Sequence, residues 1–552
     1  MKYMLKNLAS HQSQVAVTLL LLCVAGLYGQ FLWNPIIFDD LYFFMVDAQG
    51  AQPVDRYVFS PLELRSLPYA TLAWTKALFG SDLVYFRVGN LLLHATTVLT
   101  LYAFLRYLLN VAYTGKSSDA MSANQAAFLV ALLFALHPMA TYTVGYLVQR
   151  TIIMATLFSL LAMLAYAKGS VEKRPLWLWY SVPLYYLAVY SKEHAIMMVA
   201  VLAALTILLH SDWLAKLKAR WLMFAVMGFI AVLVVWSRKD MAGAAYEPDA
   251  VGMLGKELGI LAYPLSVITQ CGLFFKYLLL WILPNSAWTS IDMRETFVRS
   301  LLSLHTLAIL AYLAWGAIAF WLLVKRGNKG LAGFAMLFPW VLFFTELYAV
   351  RVQEPFVLYR SYLWASTGFA FLPVILAGVN RRLLLLIFAA VAFTFLMLSM
   401  ERLATFSNPI LVWEDAKKLV EGKPRALGAE RIYYNLGRNQ LLSDMLISSE
   451  QNLMKALSID PDFSQAHGAL GAVYVKQGRW EKAIVEYTTA RAINQKRGEV
   501  SSSVYLVGRA RAYEGAGEVQ KAIADYLEAC RIDVRICEIL RKSATQKNQA
   551  MK

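Results

Sequence analysis

The sequence predicts an all-α protein: a bundle of membrane-spanning helices followed by a polar helical tail. Three observations predict this class, namely an apolar composition, a series of long apolar runs and a periodic C-terminal region. The 552-residue chain is 59% hydrophobic and 16% charged, with a mean hydropathy of +0.51. Soluble proteins are about 45–50% apolar and about 25% charged, so the excess apolar surface requires lipid.

Apolar runs of spanning length recur through residues 1–400, since a span needs about 20 apolar residues and fewer inside a bundle. We predict about eleven spans, at 15–33, 84–107, 124–137, 143–168, 176–190, 194–210, 219–237, 300–324, 331–348, 361–379 and 382–400. Residues 34–83 then form the first outer loop. The region 238–298 contains another apolar run, 258–283, which we interpret as a re-entrant or interfacial helix because the charge pattern fits better without a crossing.

The charge pattern indicates an orientation. The formal net charge is +16, and the cations cluster in short loops between apolar runs, which favours membrane topology over nucleic-acid binding. With the N-terminus in the cytoplasm, every predicted inside loop is basic, for example at Lys173 and Arg174, whereas the first outer loop carries Asp39 and Asp40. An odd number of spans places the tail on the outer face.

The tail, residues 401–552, is polar and periodic. Small and aromatic residues recur as Leu470, Gly471, Tyr474, Gly478, Ala483, Tyr487 and Ala490. The register extends back to Leu436, Gly437, Ala456 and Pro461, and forward after a short insertion to Tyr513, Gly517, Ala522, Tyr526 and Ala529. A period of about 34 residues with this pattern predicts a tetratricopeptide-repeat solenoid, and three repeats are the usual minimum for a stable stack.

Two cysteines in the tail, Cys530 and Cys537, are seven residues apart. On one continuous helix they would lie about 10 Å from each other, too far to bridge. In an oxidising compartment a different backbone would allow them to pair, so the sequence leaves their pairing open.

Asp39 and Asp40 follow the first span directly. Adjacent carboxylates at a membrane edge are costly unless water, a cation or a substrate meets them. They are either two solvated acids that end a helix or a general base, which accepts a proton from an attacking hydroxyl. A divalent cation at this pair is left open, although no further carboxylate cluster completes a ligand shell and no metal site is predicted.

Further polar residues lie beside apolar runs on the same predicted face. They are Arg65, His137, Tyr146, Gln149, Arg150, Lys192, Glu193, Asp292, Arg360 and Tyr362. Arginine and lysine at a membrane surface suit a lipid-linked phosphate. Each residue alone is typical of an interfacial or capping position, and only their convergence favours a binding site for donor phosphate and substrate.

These residues fall in blocks that resemble a known family. The blocks are Phe38-Asp39-Asp40, Arg65, Asn90 with His94, His137-Pro138 with Tyr146 to Arg150, Ser191-Lys192-Glu193, Lys276-Tyr277 through Pro284 to Asp292, and Tyr359 to Leu363. In order and spacing they resemble bacterial members of the transmembrane and tetratricopeptide-repeat O-mannosyltransferases, within the GT-C class of polyprenyl-phosphate-dependent glycosyltransferases. The chain departs from that family at Glu354–Tyr359, where relatives are usually more polar and end in His-Arg. It also carries a single acid at Asp292, where relatives often have two.

The resemblance implies a GT-C-like fold and an inverting transfer of a sugar to an acceptor, in particular a protein hydroxyl, at the periplasmic face of the bacterial inner membrane. It implies that Asp39 or Asp40 is the base or the acid that positions the acceptor, and that Arg150, Lys192 and Arg360 are candidates to hold the donor phosphate. Glu193 would orient Lys192 or an acceptor hydroxyl. The implied partners are the polyprenyl-phosphate-linked sugar, membrane lipid and a polypeptide bound by the repeats, with no nucleic acid.

Three other functions compete with this one. An oligosaccharyltransferase or glycan polymerase would use a diphosphate-linked glycan. A non-enzymatic assembly factor would use the repeats to recruit partners and would not need the two acids. A transporter is disfavoured, because its ionisable groups would normally lie near the bilayer midplane rather than at one face.

Overall fold

The computed structural model describes residues 11–45, 52–113, 122–244, 256–372, 376, 379–423, 426–498, 503–534 and 536–537. Over these ranges the chain is helical, with a single isolated antiparallel bridge between Met293 and Phe356. It divides into two compact units, residues 1–408 and 409–552.

The first half of the N-terminal unit contains α1 (His11–Tyr28), α2 (Asp40–Phe44), α3 (Ser66–Phe79), α4 (Leu83–Ala112), α5 (Ala123–Leu136), α6 (Pro138–Val144), α7 (Arg150–Val171), α8 (Pro175–Ser191) and α9 (Met198–Leu209). The second half contains α10 (Trp213–Ala219), α11 (Trp221–Ser237), α12 (Lys256–Gly259), α13 (Ala262–Ile282), α14 (Leu307–Lys325), α15 (Gly327–Leu342), α16 (Ser361–Ala365) and α17 (Arg381–Thr405). Short 3-10 turns join several of them.

Several helices are long and apolar enough to cross a membrane. Within the described ranges there are six, at Gln12–Phe31, Leu83–Ala112, Leu147–Val171, Ala262–Ile282, Leu304–Lys325 and Arg382–Thr405. The number rises to eight if two bent pairs, α5 with α6 and α10 with α11, each form one span. The expected eleven spans are therefore not found.

The difference has a physical cause, because hydropathy cannot tell a segment that faces lipid from one that is buried in protein. The run predicted as a span at 361–379 breaks after α16, whose side chains are all buried. The runs at 176–190, 194–210 and 331–348 form helices of 17, 12 and 16 residues. Conversely 258–283, expected to be a re-entrant or interfacial helix, contains a 21-residue helix of spanning length. An even number of crossings would change the predicted side of the tail, so its orientation stays a prediction.

Helix α7 lies at the centre of the N-terminal unit. The apolar part of its span is 89% buried, whereas the corresponding parts of α1 and α17 are 28% buried. It packs against both α4 and α8. A helix that is apolar on all sides is typical of the buried core of a protein, and the N-terminus of α7 carries part of the candidate site.

The tail consists of α18 (Pro409–Glu421) and then three helix pairs. The pairs are α19 (Ala429–Leu442) with α20 (Leu446–Ile459), α21 (Ser464–Lys476) with α22 (Trp480–Lys496), and α23 (Ser503–Gly515) with α24 (Val519–Ile532). They coincide with the three repeats predicted from the sequence. The turn inside each pair contains a left-handed residue, Asp444, Gly478 or Gly517, at φ of 62°, 72° and 80°. Glycine adopts this conformation without steric cost, so two of the three turns have the favoured residue.

The repeats interlock through an aromatic ring placed against two glycines. Tyr487 on α22 is 5% exposed, and its ring lies where a Cβ atom would project from Gly471 of the same repeat and from Gly508 of the next. The two glycines therefore allow neighbouring helices to approach closely enough to enclose the ring.

We expect Gly508→Ala to loosen the last repeat. The added methyl group overlaps the Tyr487 ring, which Gly471 prevents from moving aside, and overpacking costs about 1–3 kcal/mol. The higher helix propensity of alanine offsets up to about 1 kcal/mol of this cost. In the full-length protein, amide hydrogen exchange in α22 and α23 should accelerate severalfold. Gly422→Ala, at a glycine with open space around it, is the control; equal exchange in both variants would contradict the proposed packing.

Cys530 and Cys537 form a disulfide with their Cα atoms 5.3 Å apart. The two cysteines do not lie on one continuous helix, the arrangement in which they would be too far apart to bridge. Helix α24 ends at Ile532, and Asp533 is extended at φ −142° and ψ 103°. The chain thus changes direction between the two cysteines.

Candidate active site

A cavity of about 450 Å³ opens where several connecting segments of the N-terminal unit meet. Its lining residues are Asp39, Tyr42, Phe43, Tyr57, Arg65, Tyr69, Val148, Gln149, Thr151, Lys192, Glu193, His194, Arg351, Tyr359 and Arg360. Six of them, Asp39, Arg65, Gln149, Lys192, Glu193 and Arg360, are candidate residues from the sequence. They come from five separate parts of the chain, so the fold brings distant candidates together.

Asp39 is held at the cavity by the backbone and by a tyrosine. The preceding residue, Phe38, has a left-handed φ of 49°, which few non-glycine residues adopt. The Asp39 amide donates to the Tyr146 hydroxyl oxygen at 2.7 Å, and that hydroxyl also hydrogen-bonds the Asp39 side chain. Burial, followed by the Asp39 charge, holds the pKa of Tyr146 well above its usual value. Tyr146 therefore stays protonated and orients the carboxylate.

Lys192 provides a buried cation in the same cavity. It follows α8 in an extended conformation and is 5% exposed, with Nζ 5.7 Å from the centre of the Tyr359 ring. Burial, followed by the charge of Arg65, lowers the pKa of Lys192 to about 7. A phosphate beside Lys192 would favour the charged ammonium.

Arg65 and Glu193 form a two-point ion pair on the cavity wall. Arg65 Nε donates to Glu193 Oε2 at 2.9 Å, and its NH2 group donates to Oε1. Arg65 is itself left-handed, with φ of 65°, and its amide donates to the Tyr190 carbonyl at 2.7 Å. The segment that precedes α3 is thereby tied to the end of α8.

Behind the wall lies Glu346, a buried carboxylate that no sequence pattern identified. Its Oε1 accepts from His194 Nε2 at 2.9 Å, and its Oε2 lies 2.9 Å from Arg360 NH1 and 2.8 Å from Arg351 Nε. The side chain of Glu346 is fully buried. Glu346 could have been recognised from the sequence, because it is the one charged residue in the apolar run 331–348. A charged residue in such a run is costly unless it has a partner.

Asp40 and Arg150 lie behind the cavity rather than in it. Asp40 is fully buried and accepts from the Leu147 and Val148 amides at 3.1 and 2.9 Å. Burial raises the pKa of Asp40 to about 7, although the Val148 amide opposes the shift. Arg150 donates to Asn90 Oδ1 at 2.7 Å and to the Phe86 carbonyl at 2.9 Å. These contacts join separate segments of the chain, which is a supporting role.

Three other candidates also lie outside the cavity lining. His137 Nδ1 accepts from the Met139 amide at 3.2 Å, and Nε2 donates to the Trp281 carbonyl at 2.9 Å. Asp292 pairs with Arg294 at 2.7 Å. The Tyr362 hydroxyl lies 2.7 Å from His94 Nδ1. Their contacts lie within the protein, so the geometry gives them no place at the cavity surface.

Part of the cavity lining consists of residues that were not selected from the sequence. His194 immediately follows the predicted pair Lys192 and Glu193, and Thr151 follows Arg150, so both were close to recognised blocks. The aromatic residues Phe43, Tyr57 and Tyr69 have ring centres 4.9–5.4 Å apart. Aromatic residues make up 13% of the chain, so type alone does not distinguish these three.

Comparison with known proteins identifies the repeat. The tetratricopeptide-repeat family model matches residues 452–485, which contain the centre of the periodic tail. No curated protein matches the chain. Within the described ranges, no group of three or more histidine, cysteine, aspartate and glutamate side chains is arranged to hold a metal ion.

The fold and the repeat together define a class. This is a helical protein with several helices of membrane-spanning length and tetratricopeptide repeats in its C-terminal unit. Such repeats generally present an extended concave surface to another protein, so protein–protein interaction is indicated in general terms.

Proposed function

We propose that this protein is a membrane glycosyltransferase that moves a sugar from a polyprenyl-phosphate-linked donor to an acceptor hydroxyl, in particular on a protein. The observation that carries the proposal is the cavity, which holds the carboxylate of Asp39 together with the cations Lys192 and Arg360. A base and a phosphate-binding wall in one cavity are what hydroxyl attack on a sugar phosphate requires.

A second cavity supports a lipid-linked donor. It has a volume of about 400 Å³ and shares Arg65, Glu193, His194 and Arg351 with the first. The rest of its lining is mainly apolar, with Ile196, Met197, Val199, Ala231, Val234, Val235, Phe344 and Ala349. A polar cavity joined to an apolar groove through a charged wall suits a ligand with a phosphate head and a hydrocarbon tail.

The charge of the site favours a single phosphate over a diphosphate. Its cations are Arg65, Lys192, Arg351 and Arg360. The carboxylates that face or pair with them are Asp39, Glu193 and Glu346. One positive charge remains at the first cavity when all are ionised, which matches the single negative charge of a sugar phosphodiester; Arg238 lines only the second cavity and is outside this count. The N-terminus of α7, at the same cavity, adds a favourable dipole for an anion.

In the proposed reaction the Asp39 carboxylate accepts the proton of the acceptor hydroxyl as its oxygen attacks the anomeric carbon. The bond between that carbon and the phosphate oxygen breaks, and its electron pair leaves with the lipid phosphate. Lys192 and Arg360 stabilise the negative charge on this leaving group. Attack from the side opposite the phosphate inverts the anomeric configuration.

The tail is proposed to lie in the periplasm and to present the acceptor. The Cys530–Cys537 disulfide supports this location, because disulfides persist in oxidising compartments. The repeat match equally favours a second candidate, a membrane assembly factor that recruits proteins without catalysis.

The test compares donors in membranes that contain the full-length protein. Polyprenyl-phosphate-linked hexose and polyprenyl-diphosphate-linked oligosaccharide, each radiolabelled, are supplied with envelope proteins as acceptors, and products are analysed by intact mass. We expect the addition of one sugar from the monophosphate donor. Transfer of a whole oligosaccharide from the diphosphate donor alone would replace this proposal with an oligosaccharyltransferase, and no transfer from either would favour the assembly factor.

A further inference from the structure

A cluster of cations lies at the end of the N-terminal unit that is remote from the candidate active site. Helix α7 carries Thr151 of the cavity lining near its first residue and Ser170 near its last. At a rise of 1.5 Å per residue, these two positions are about 30 Å apart along the helix. Ser170 Oγ lies 2.6 Å from His210 Nε2, which joins the end of α7 to the residue that follows α9.

Cations from two separate segments lie beside the His210 ring. Burial, followed by the charge of Arg220, lowers the pKa of His210. The charges of Lys216 and Arg326 also lower it, whereas that of Asp212 raises it. Lys216 pairs with Asp212 at 3.5 Å. The cluster therefore has two positive charges more than the carboxylates of the described residues supply.

The fold holds both arginines of this cluster in place. Arg220 NH1 donates to the Tyr166 hydroxyl oxygen at 3.0 Å, and Arg326 Nε lies 3.5 Å from the Leu208 carbonyl oxygen. Arg326 has φ of 57° and ψ of −171°, a conformation that suits glycine and is strained for an arginine. Strain and repulsion between like charges both oppose this arrangement in the protein alone, whereas a bound anion would stabilise it.

The cluster lies at the level of a membrane surface, because two helices of spanning length end there, Leu147–Val171 and Leu304–Lys325. Helix α10 is bent by 70° from α11, so it would run along that surface if α11 crosses the membrane. Trp221, beside Arg220, and Trp321, one turn before the end of α14, are 66% and 57% exposed. Exposed tryptophans are typical of the layer that contains lipid headgroups. The anion available in that layer is the phosphate of a phospholipid.

We propose that Lys216, Arg220 and Arg326 bind the phosphate headgroup of an anionic phospholipid. Basic residues at the ends of apolar runs commonly set membrane orientation, but that role requires neither their convergence on one site nor a strained backbone. A zwitterionic headgroup would add a cation to the cluster, so the anionic lipid is preferred. The phosphate would join the ends of α7, α9 and α14 and stabilise the fold. The proposal does not depend on sugar transfer, since none of these residues lines the candidate active site.

The test titrates full-length protein in a neutral detergent with phosphatidylglycerol and measures bound lipid by native mass spectrometry. Arg220→Gln and Arg326→Gly each remove one cation, and we expect about fivefold weaker binding in each variant. Wild-type protein should bind phosphatidylcholine more weakly than phosphatidylglycerol. Arg326→Gly also relieves the strained turn, so the Tm of this variant without lipid should not fall. Lipid binding is thereby separated from stability.

Arg299→Gln is the matched control, because Arg299 is an exposed arginine that precedes α14 at its other end. It should keep wild-type binding. Equal affinity for the two lipids would overturn the proposal, as would unchanged binding in both test variants or an equal loss in Arg299→Gln. A rise in Tm with inorganic phosphate equal to that with phosphatidylglycerol would overturn the assignment to a lipid in favour of a soluble phosphate. If Arg220→Gln fails to fold, Arg326→Gly decides.

Discussion

Asp39→Asn is expected to lower kcat for sugar transfer by about 10²–10⁴-fold, the usual contribution of a general base. Asparagine keeps the size of the side chain but cannot take the proton of the attacking hydroxyl. Donor binding should change little, because Lys192 and Arg360 remain in place. The measurement is steady-state transfer in membranes, with donor KM determined separately from kcat.

The neighbouring acid provides the control for this prediction. Asp40 is fully buried and accepts hydrogen bonds from two backbone amides. Asp40→Asn therefore replaces one acceptor oxygen with an NH2 donor that faces a backbone N–H group. We expect a lower Tm and a lower yield of folded protein, with loss of activity in proportion. Full turnover by Asp39→Asn would refute its assignment as the base, whatever happens at Asp40.

Glu346→Gln is expected to have the second largest effect, on both stability and donor binding. The single carboxylate of Glu346 accepts a hydrogen bond from His194 and forms ion pairs with Arg351 and Arg360. Removal of one partner from a buried ion pair costs about 3–5 kcal/mol, since the remaining charge is left without compensation. The two arginines should then repel each other and change position. We expect a clear fall in Tm and a rise in donor KM that exceeds the change in kcat.

Two further variants make this result interpretable. Glu295→Gln removes the carboxylate that forms an ion pair with Lys276. Glu295 Oε1 lies 2.5 Å from Lys276 Nζ, and neither residue lines the cavity. It should leave donor KM unchanged. Glu346→Asp keeps the charge on a shorter side chain and should recover part of the donor affinity. A purely structural Glu346 would instead show a lower Tm with normal KM in the protein that remains folded.

The repeat was predictable because its pattern is local. Each helix pair buries the same small and aromatic positions at the same spacing, as Gly471 and Tyr487 illustrate, and these positions are visible in one sequence. Membrane spans were less predictable. Helix α13 and the broken segment at 361–379 are similarly apolar, and only their neighbours decide which of them forms a long helix.

The site was predictable where a residue's type already limits its surroundings. Charged residues beside apolar runs need partners, and on that ground the sequence selects Asp39, Lys192 and Arg360, which line one cavity in the structure. Residue type alone does not distinguish the surroundings of Arg150 from those of Arg360. Both are buried arginines, but Arg150 donates to a backbone carbonyl and an asparagine, whereas Arg360 forms an ion pair with Glu346. That difference depends on long-range packing, which no local spacing reveals.

The wall shared by the two cavities affects how products would depart. If the donor lies as proposed, cleavage leaves its hydrocarbon tail in the apolar groove and the new glycoside on the water side of Arg65 and Glu193. The spent lipid would diffuse sideways into the bilayer, whereas the modified acceptor would leave through solvent. Neither would obstruct the other, so a fresh lipid could arrive before the previous polypeptide has dissociated.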